Sequence, residues 1–274
     1  MKNMVQKTFS IYADDLSGSR LFIEAGTQHV AAWFTDTITG SIKAFEFFQF
    51  EAGGTTGIDE IVHEVKLHSK LLGAQMDAAQ IVWENAACTC IPSIFFAEEA
   101  AVEYLDIVAG EDNDTTLLQE NFKEYVILSR YSNSYANAIN KHLAQGSFSH
   151  KFSTLLKKNL PAATAAENII RVVFYPSRLI ITAVKKGELQ IIQCLEYSTA
   201  EDALYGVMQV CDLYNIPVET TPIIASGFIN TGSSLYDTLY RYLPNFEIEK
   251  SPENAFAAQG FAEHPPQYFL PFIQ

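Results

Sequence analysis

The sequence predicts an α/β protein made of two similar halves, on three observations. The order strand, strand, strand, helix, strand, helix can be read twice along the chain. The step from the start of the first helix of each half to the next strand is about 23 residues in both. The 274 residues are 48% hydrophobic and 18% charged, which suits two compact units with apolar cores and excludes a disordered chain.

In the first half, Leu21-Phe22-Ile23 opens a strand, Val30 to Phe34 a second and Ile42 to Phe50 a third, with Gly26 and Gly40 where turns are needed. Asp14-Asp15 reads as a loop before the first strand. Thr56 predicts the N-cap of a helix whose Ile58, Ile61, Val62, Val65 and Leu72 share one face. Asp59 and Glu60 come early and Lys66 and Lys70 late, as the helix dipole prefers, and Gly73 supplies a stop. A buried strand follows at Ala79 to Trp83, then a helix after Pro92 through Tyr104.

The second half repeats the order. Ile169 to Phe174, Arg178 to Val184 and Leu189 to Leu195 read as strands, with a turn at Lys186-Gly187. Ser198 to Glu201 has the capping-box spacing ahead of a helix carrying Leu204, Val207, Cys211 and Tyr214. Asn215-Ile216-Pro217 ends that helix. A strand at Pro222 to Ala225, a turn at Gly227, a helix with Leu235, Leu239 and Leu243, and a strand at Phe246 to Glu249 complete the half. Between the halves, Glu111 to Asp114 reads as a polar loop, Tyr125 to Arg130 as a strand, and Ser134 to Leu143 and His150 to Leu160 as helices. The expected division is residues 1–160 for the first half with its crossover helices and 161–274 for the second half with its tail. The prolines among Tyr268, Phe269, Leu270 and Phe272 predict an extended tail packed on the body or on a partner.

A formal net charge of −14 repels backbone phosphates and argues against a nucleic-acid partner. The best basic cluster, His150, Lys151, Lys157 and Lys158, reads as the solvated face of a short helix. Residues 1–15 hold no continuous apolar h-region. The uncharged apolar stretch Asn85 to Ala97 is too short to span a bilayer and contains Pro92, so membrane insertion is not expected. Four cysteines without a dense pattern suit a reducing cytosol, and a cytoplasmic location is expected.

No motif carries chemistry on its own. His63-Glu64 is followed by His68 five residues on, a spacing that keeps the two imidazoles off one helix face and argues against a zinc site. Cys88-Thr89-Cys90 lacks the two-residue spacer of redox or zinc pairs and reads as strand thiols. G-x-S-x-G, P-loop and G-x-G-x-x-G patterns are absent, and no triad is ordered by spacing. No catalytic residue, metal site or cofactor is expected.

A three-strand meander followed by helix, strand and helix, occurring twice, resembles the duplicated ribonuclease-H-like fold of the actin-like ATPase superfamily. More narrowly, the whole pattern, including Pro222 to Leu243, resembles a bacterial family of about this size with that fold and no established activity. In active superfamily members the first hairpin carries an aspartate that helps hold magnesium water, and its turn cradles phosphate through backbone donors. The matching stretch here is Ile23-Glu24-Ala25-Gly26-Thr27. Gly26 and Thr27 fit the turn, but Glu24 stands where aspartate is expected, and its extra methylene displaces the carboxylate. The second hairpin should bring another aspartate and a glycine-rich turn. The chain has Phe174-Tyr175-Pro176-Ser177-Arg178, where proline removes a donor and aromatics bar close backbone approach. The nucleotide-base turn corresponds to Ala225-Ser226-Gly227-Phe228, with one glycine kept. Glu24, Gly26, Thr27, Ser226 and Gly227 are thus candidates for vestigial nucleotide turns. The resemblance implies a non-catalytic scaffold or regulatory protein with a protein or peptide partner. The alternative is a divergent magnesium-dependent ATPase or small-molecule kinase with Glu24, Thr27 and Ser226 in adapted roles.

Overall fold

The computed structural model describes residues 5–51, 57–73, 78–122, 124–163 and 167–273. The chain divides into two units, residues 1–154 with 254–261, and residues 155–253 with 262–274.

The first unit is built on a six-stranded sheet. Its strands are β1 (Val5–Tyr12), β2 (Ser19–Gly26), β3 (His29–Asp36), β4 (Ile42–Phe50), β5 (Ala79–Glu84) and β9 (Gly146–His150), in the order β1-β4-β3-β2-β5-β9. β2, β3 and β4 form an antiparallel meander, while β5 pairs parallel to β2 and β9 parallel to β5. β3 is buried at every position but its last, which is why Val30 to Phe34 reads as an unbroken apolar run rather than an alternation. On one face Ile23, Ala25, Val30 and Ala32 pack against Val62 and Val65 of α1 (Ile58–His68) and Ala138 and Ile139 of α3 (Asn133–His142). On the opposite face Phe22 stacks on Trp33 at 5.3 Å between ring centroids.

Between β5 and β9 lies an insertion. β6 (Cys88–Pro92), β7 (Thr115–Phe122) and β8 (Tyr125–Ser132) form a separate antiparallel sheet in the order β6-β8-β7, backed by α2 (Ala101–Ala109). Two 3-10 turns, Ser93–Phe95 and Glu98–Ala100, precede α2.

The second unit repeats the first with fewer parts. β10 (Asn168–Phe174), β11 (Arg178–Lys185), β12 (Glu188–Glu196), β13 (Ile223–Gly227) and β14 (Phe246–Ile248) are ordered β12-β11-β10-β13-β14. This is the order β4-β3-β2-β5-β9 over again, so the chain holds two ribonuclease-H-like halves. Only α6 (Ser234–Tyr242) separates β13 from β14. Ala203, Val207 and Val210 of α5 (Ala200–Leu213) and Leu239 of α6 close the core over Ile170, Val172 and Ile181. α4 (Lys151–Ala163) carries the chain from one unit to the next.

Several local expectations change. β1 precedes the predicted first strand, and Asp14-Asp15 lies in the loop that follows it. The predicted cap Thr56 lies outside the described residues. α1 stops at His68, where Ser69 leaves the helix and its N–H reaches the Lys66 carbonyl, well before Gly73. The α5 capping box forms one residue later than the spacing suggested: Thr199 accepts from the Asp202 N–H, and the Asp202 carboxylate accepts from the Thr199 N–H. The tail is not extended. It makes 3-10 turns at Pro266–Tyr268 and Leu270–Phe272, with proline in the first positions where a missing N–H costs nothing. Phe269, Leu270 and Phe272 are buried, and Gln267 Nε2 donates to the Ile229 carbonyl at 3.0 Å.

Candidate functional site

The parallel pairing of β2, β5 and β9 brings their carboxyl ends side by side, and open α/β sheets place their chemistry at that edge. Gly26 is in register with Glu84, and Trp83 with His150. Alternation along β2 sends Ile23 and Ala25 to the helix side, so Glu24 shares the other face with Phe22.

Glu24 is fully buried there. Its Oε2 accepts from Lys151 Nζ at 2.5 Å, and its Oε1 from His29 Nε2 at 3.0 Å. Burial pushes the Glu24 carboxyl upward, but the Lys151 charge and the His29 hydrogen bond outweigh it and hold the group at about 2. The group is therefore an anion, and His29 must carry a proton on Nε2. Lys151 is the first residue of α4 and is itself buried. Glu84, also buried, lies 4.0 Å from His29 Nδ1.

The His29 ring folds back over its own hairpin. It stacks on Phe47 at 5.0 Å and lies against Gly26 so closely that a Cβ on Gly26 would overlap the imidazole. Tyr135 Oη donates to the Gly26 carbonyl at 3.2 Å. Burial, with the Glu84 charge, raises the Tyr135 phenol far above its usual range, so it stays a donor.

His150 completes the edge. Phe152 N–H donates to its Nδ1 at 3.2 Å, so Nε2 bears the proton and faces the Asn85 carbonyl at 3.3 Å. Burial pushes this imidazole down to about 3. Its backbone N–H donates to Glu120 Oε2 at 2.7 Å, linking the edge to the insertion.

In the second unit the equivalent hairpin, β10 to β11, turns through Tyr175-Pro176-Ser177. The Tyr175 N–H donates to the Arg178 carbonyl at 2.7 Å and its own carbonyl accepts from Tyr197 Oη at 2.7 Å. Tyr175 is buried and meets Phe228 edge-on at 6.5 Å; Phe228 meets Tyr268 of the tail at 5.7 Å. Gly227, in register with Phe174, has φ +83°, and a Cβ there would strike the Phe174 carbonyl.

The five sequence candidates fall in both units. Glu24 and Gly26 sit at the end of β2, Thr27 is exposed in the turn beyond, and Ser226 and Gly227 end β13 in the other unit, Ser226 buried. His29, Glu84, His150 and Lys151 were missed. The basic cluster that reads as one solvated face is in fact divided: His150 and Lys151 are buried, Lys157 is exposed, and Lys158 Nζ donates to the Leu270 carbonyl at 2.6 Å. His63 packs on the His142 ring at 5.1 Å while His68 pairs with Glu64 at 3.4 Å, so the two α1 imidazoles diverge. Among the described residues, no group of three or more His, Cys, Asp or Glu is placed to hold a metal ion. Burial pushes the Cys90 thiol up to about 12, which keeps it protonated and inert.

A family model described as protein of unknown function DUF3822 matches residues 7–246. The chain belongs to the DUF3822 family. No curated protein matches it. Among solved structures, it is similar to a Bacteroides thetaiotaomicron VPI-5482 protein with actin-like ATPase fold and unknown function. The identity is 16%, the match covers 85% of this chain and 91% of that one, and the TM-score is 0.72. It is also similar to a chain of the PilM–PilN type IV pilus biogenesis complex, at 11% identity over 92% and 94% of the two chains with a TM-score of 0.64. At these identities the likeness concerns the fold, and this DUF3822 member has the actin-like ATPase fold. No helix among the described residues is long and apolar enough to cross a membrane.

Proposed function

We propose that this DUF3822 chain is a non-catalytic actin-like-fold protein that works as a scaffold or regulator by binding a partner protein, in the cytoplasm. One observation carries the reading: the carboxylate of the first hairpin is already committed to a cation of its own chain. Glu24, at the place where active relatives of the fold use an aspartate to hold magnesium water, grips the Lys151 ammonium. A magnesium ion would have to displace a buried ion pair to reach it.

Two further features support the same conclusion. The His29 ring lies on Gly26, at the turn a phosphate would need to approach. The second hairpin offers a tyrosine and a proline and no carboxylate. The residues present do not fit a magnesium nucleotide. Partner binding draws support from the fold itself, since PilM, similar in fold, stands in a complex with PilN.

Titration calorimetry and a thermal-shift scan with magnesium–ATP test the proposal. No heat and no shift are expected. Micromolar binding with a stabilisation of several degrees, or phosphate release that disappears in Glu24→Ala, would replace it with the divergent ATPase or kinase reading.

A further inference from the structure

The fold carries an insertion in its first unit that the second unit lacks, and exposed apolar side chains gather on it beside a dense set of carboxylates. Of the twelve large hydrophobic side chains exposed among the described residues, five lie between residues 94 and 108: Ile94, Phe95, Val102, Ile107 and Val108, from 52% to 85% exposed. Scattered exposed apolar residues are ordinary, but a cluster of this kind marks a contact surface. We propose that the side of the insertion bearing Ile94, Phe95, Ile107 and Val108 docks a cationic amphipathic segment of a partner protein; the inference rests on the partner-binding reading above.

The face is held firmly from behind. α2 packs on the small sheet through Ala101 and Leu105, against Ile91, Val126 and Leu128. This leaves Ile107 and Val108, on the Tyr104 side of α2, outside the core, while Val102, five residues before Ile107, lies on another side of the helix. Tyr104 Oη donates to the Phe95 carbonyl at 2.9 Å, and the rings of Phe96 and Tyr104 lie 6.2 Å apart, so the Ser93–Phe95 turn and the helix form one surface. Arg130 pins the far end of α2, donating to the Val102 carbonyl at 3.2 Å, the Gly110 carbonyl at 2.8 Å and the Asp106 carboxylate. A surface already fixed loses little freedom when it is covered, which favours binding.

Charge selects the occupant. Residues 85–132 hold nine carboxylates against two basic side chains, Lys123 and Arg130, a net of −7 and half the charge of the chain. Arg130 is buried on Asp106. Glu98, Glu99, Glu103, Glu111, Asp112 and Asp114 are exposed around the apolar residues. Such a rim repels nucleic acid and anionic lipid and attracts lysine and arginine. It also opposes a second copy, since a two-fold contact would bring the same carboxylates face to face. The apolar centre asks for a segment with leucine-like side chains on one side and basic residues beside them.

The test uses the full chain and two designed helical peptides with the same leucine face, one with lysine and one with glutamate on the polar face, read by fluorescence anisotropy. The lysine peptide is expected to bind and the glutamate peptide not. Binding should weaken by roughly tenfold in Phe95→Ser/Ile107→Ser, which leaves every charge in place, and also in Glu98→Lys/Glu99→Lys/Glu103→Lys. Both variants change exposed positions, and unchanged melting curves confirm that they fold. Tyr205→Ser/Tyr240→Ser, exposed positions on α5 and α6, should bind like the parent. Equal binding by parent and Phe95→Ser/Ile107→Ser, no binding by the parent, equal binding of both peptides, or a dimer of the parent that Phe95→Ser/Ile107→Ser dissolves would each overturn the assignment. Loss in Tyr205→Ser/Tyr240→Ser instead would move the docking surface elsewhere while leaving the partner-binding reading intact. The magnesium–ATP titration judges that reading separately.

Discussion

The two equivalent hairpins reach a closed state by different physics. The β2–β3 hairpin is closed by charge: a buried anion, the Lys151 ammonium and an imidazole folded over Gly26. The β10–β11 hairpin is closed by hydrocarbon: Tyr175, Phe228 and Tyr268 in edge-on contact around a proline turn. An aromatic corner tolerates gradual change, because each ring contributes area and neighbours can repack. A buried ion pair does not, because removing either member leaves a bare charge in a dry site. The first hairpin should therefore be the more brittle of the two.

The largest expected effect follows directly. Lys151→Ala strands the Glu24 carboxylate and should cost about 3–5 kcal/mol in urea unfolding. Lys151→Met combined with Glu24→Gln should recover much of that loss. A cost below about 1 kcal/mol for Lys151→Ala would mean that water reaches the pair and that the contrast between hairpins is false.

The two glycines sharpen the comparison. At Gly227 an added Cβ meets backbone, the Phe174 carbonyl, at a φ of +83°, and neither can yield. Gly227→Ala should cost roughly 2–3 kcal/mol. At Gly26 the three atoms nearest the added Cβ all belong to the His29 ring. The loss in Gly26→Ala should thus be relieved by His29→Ala, whereas no side-chain truncation should rescue Gly227→Ala.

A third effect is spread over the acid range. His150 is held neutral at about 3, against 6.5 unfolded. A depressed value means that unfolding takes up a proton, so the contribution is complete above pH 6.5 and is lost as pH falls toward 3. Between pH 6.5 and 4.5 this group should add a slope of about 1.4 kcal/mol per pH unit. His150→Gln should remove that slope in urea titrations across the interval. Glu24, held at about 2 against 4.5, acts lower, its contribution lost only as pH falls from 4.5 toward 2.

These differences also explain what was legible in the sequence. The meander strands and α5 announce themselves through periodicity, a local property. β1 alternates Val5, Lys7, Phe9 and Ile11 and was readable in principle, but its outward Thr8 and Ser10 resemble a polar lead-in. β9 is Gly-Ser-Phe-Ser-His, and nothing in five such residues signals a strand until β5 lies beside it. Lys151 looks like any lysine in a basic run; its partner is 127 residues away. The aromatic corner was visible because Tyr175 and Pro176 are adjacent in the chain. The ionic one was invisible because three separate strand ends assemble it.

One small element has a bearing on how the chain is made. Residues 254–261 return to the first unit, where the Ile42 N–H donates to the Ala255 carbonyl at 2.9 Å and the Ala257 N–H to the Ile42 carbonyl at 3.0 Å. Residues 262–273 then seal the second unit through Phe269, Leu270 and Phe272. During translation, therefore, neither unit can reach its final form before these closing residues have left the ribosome, and a chain halted at residue 253 would leave both halves unlatched at once.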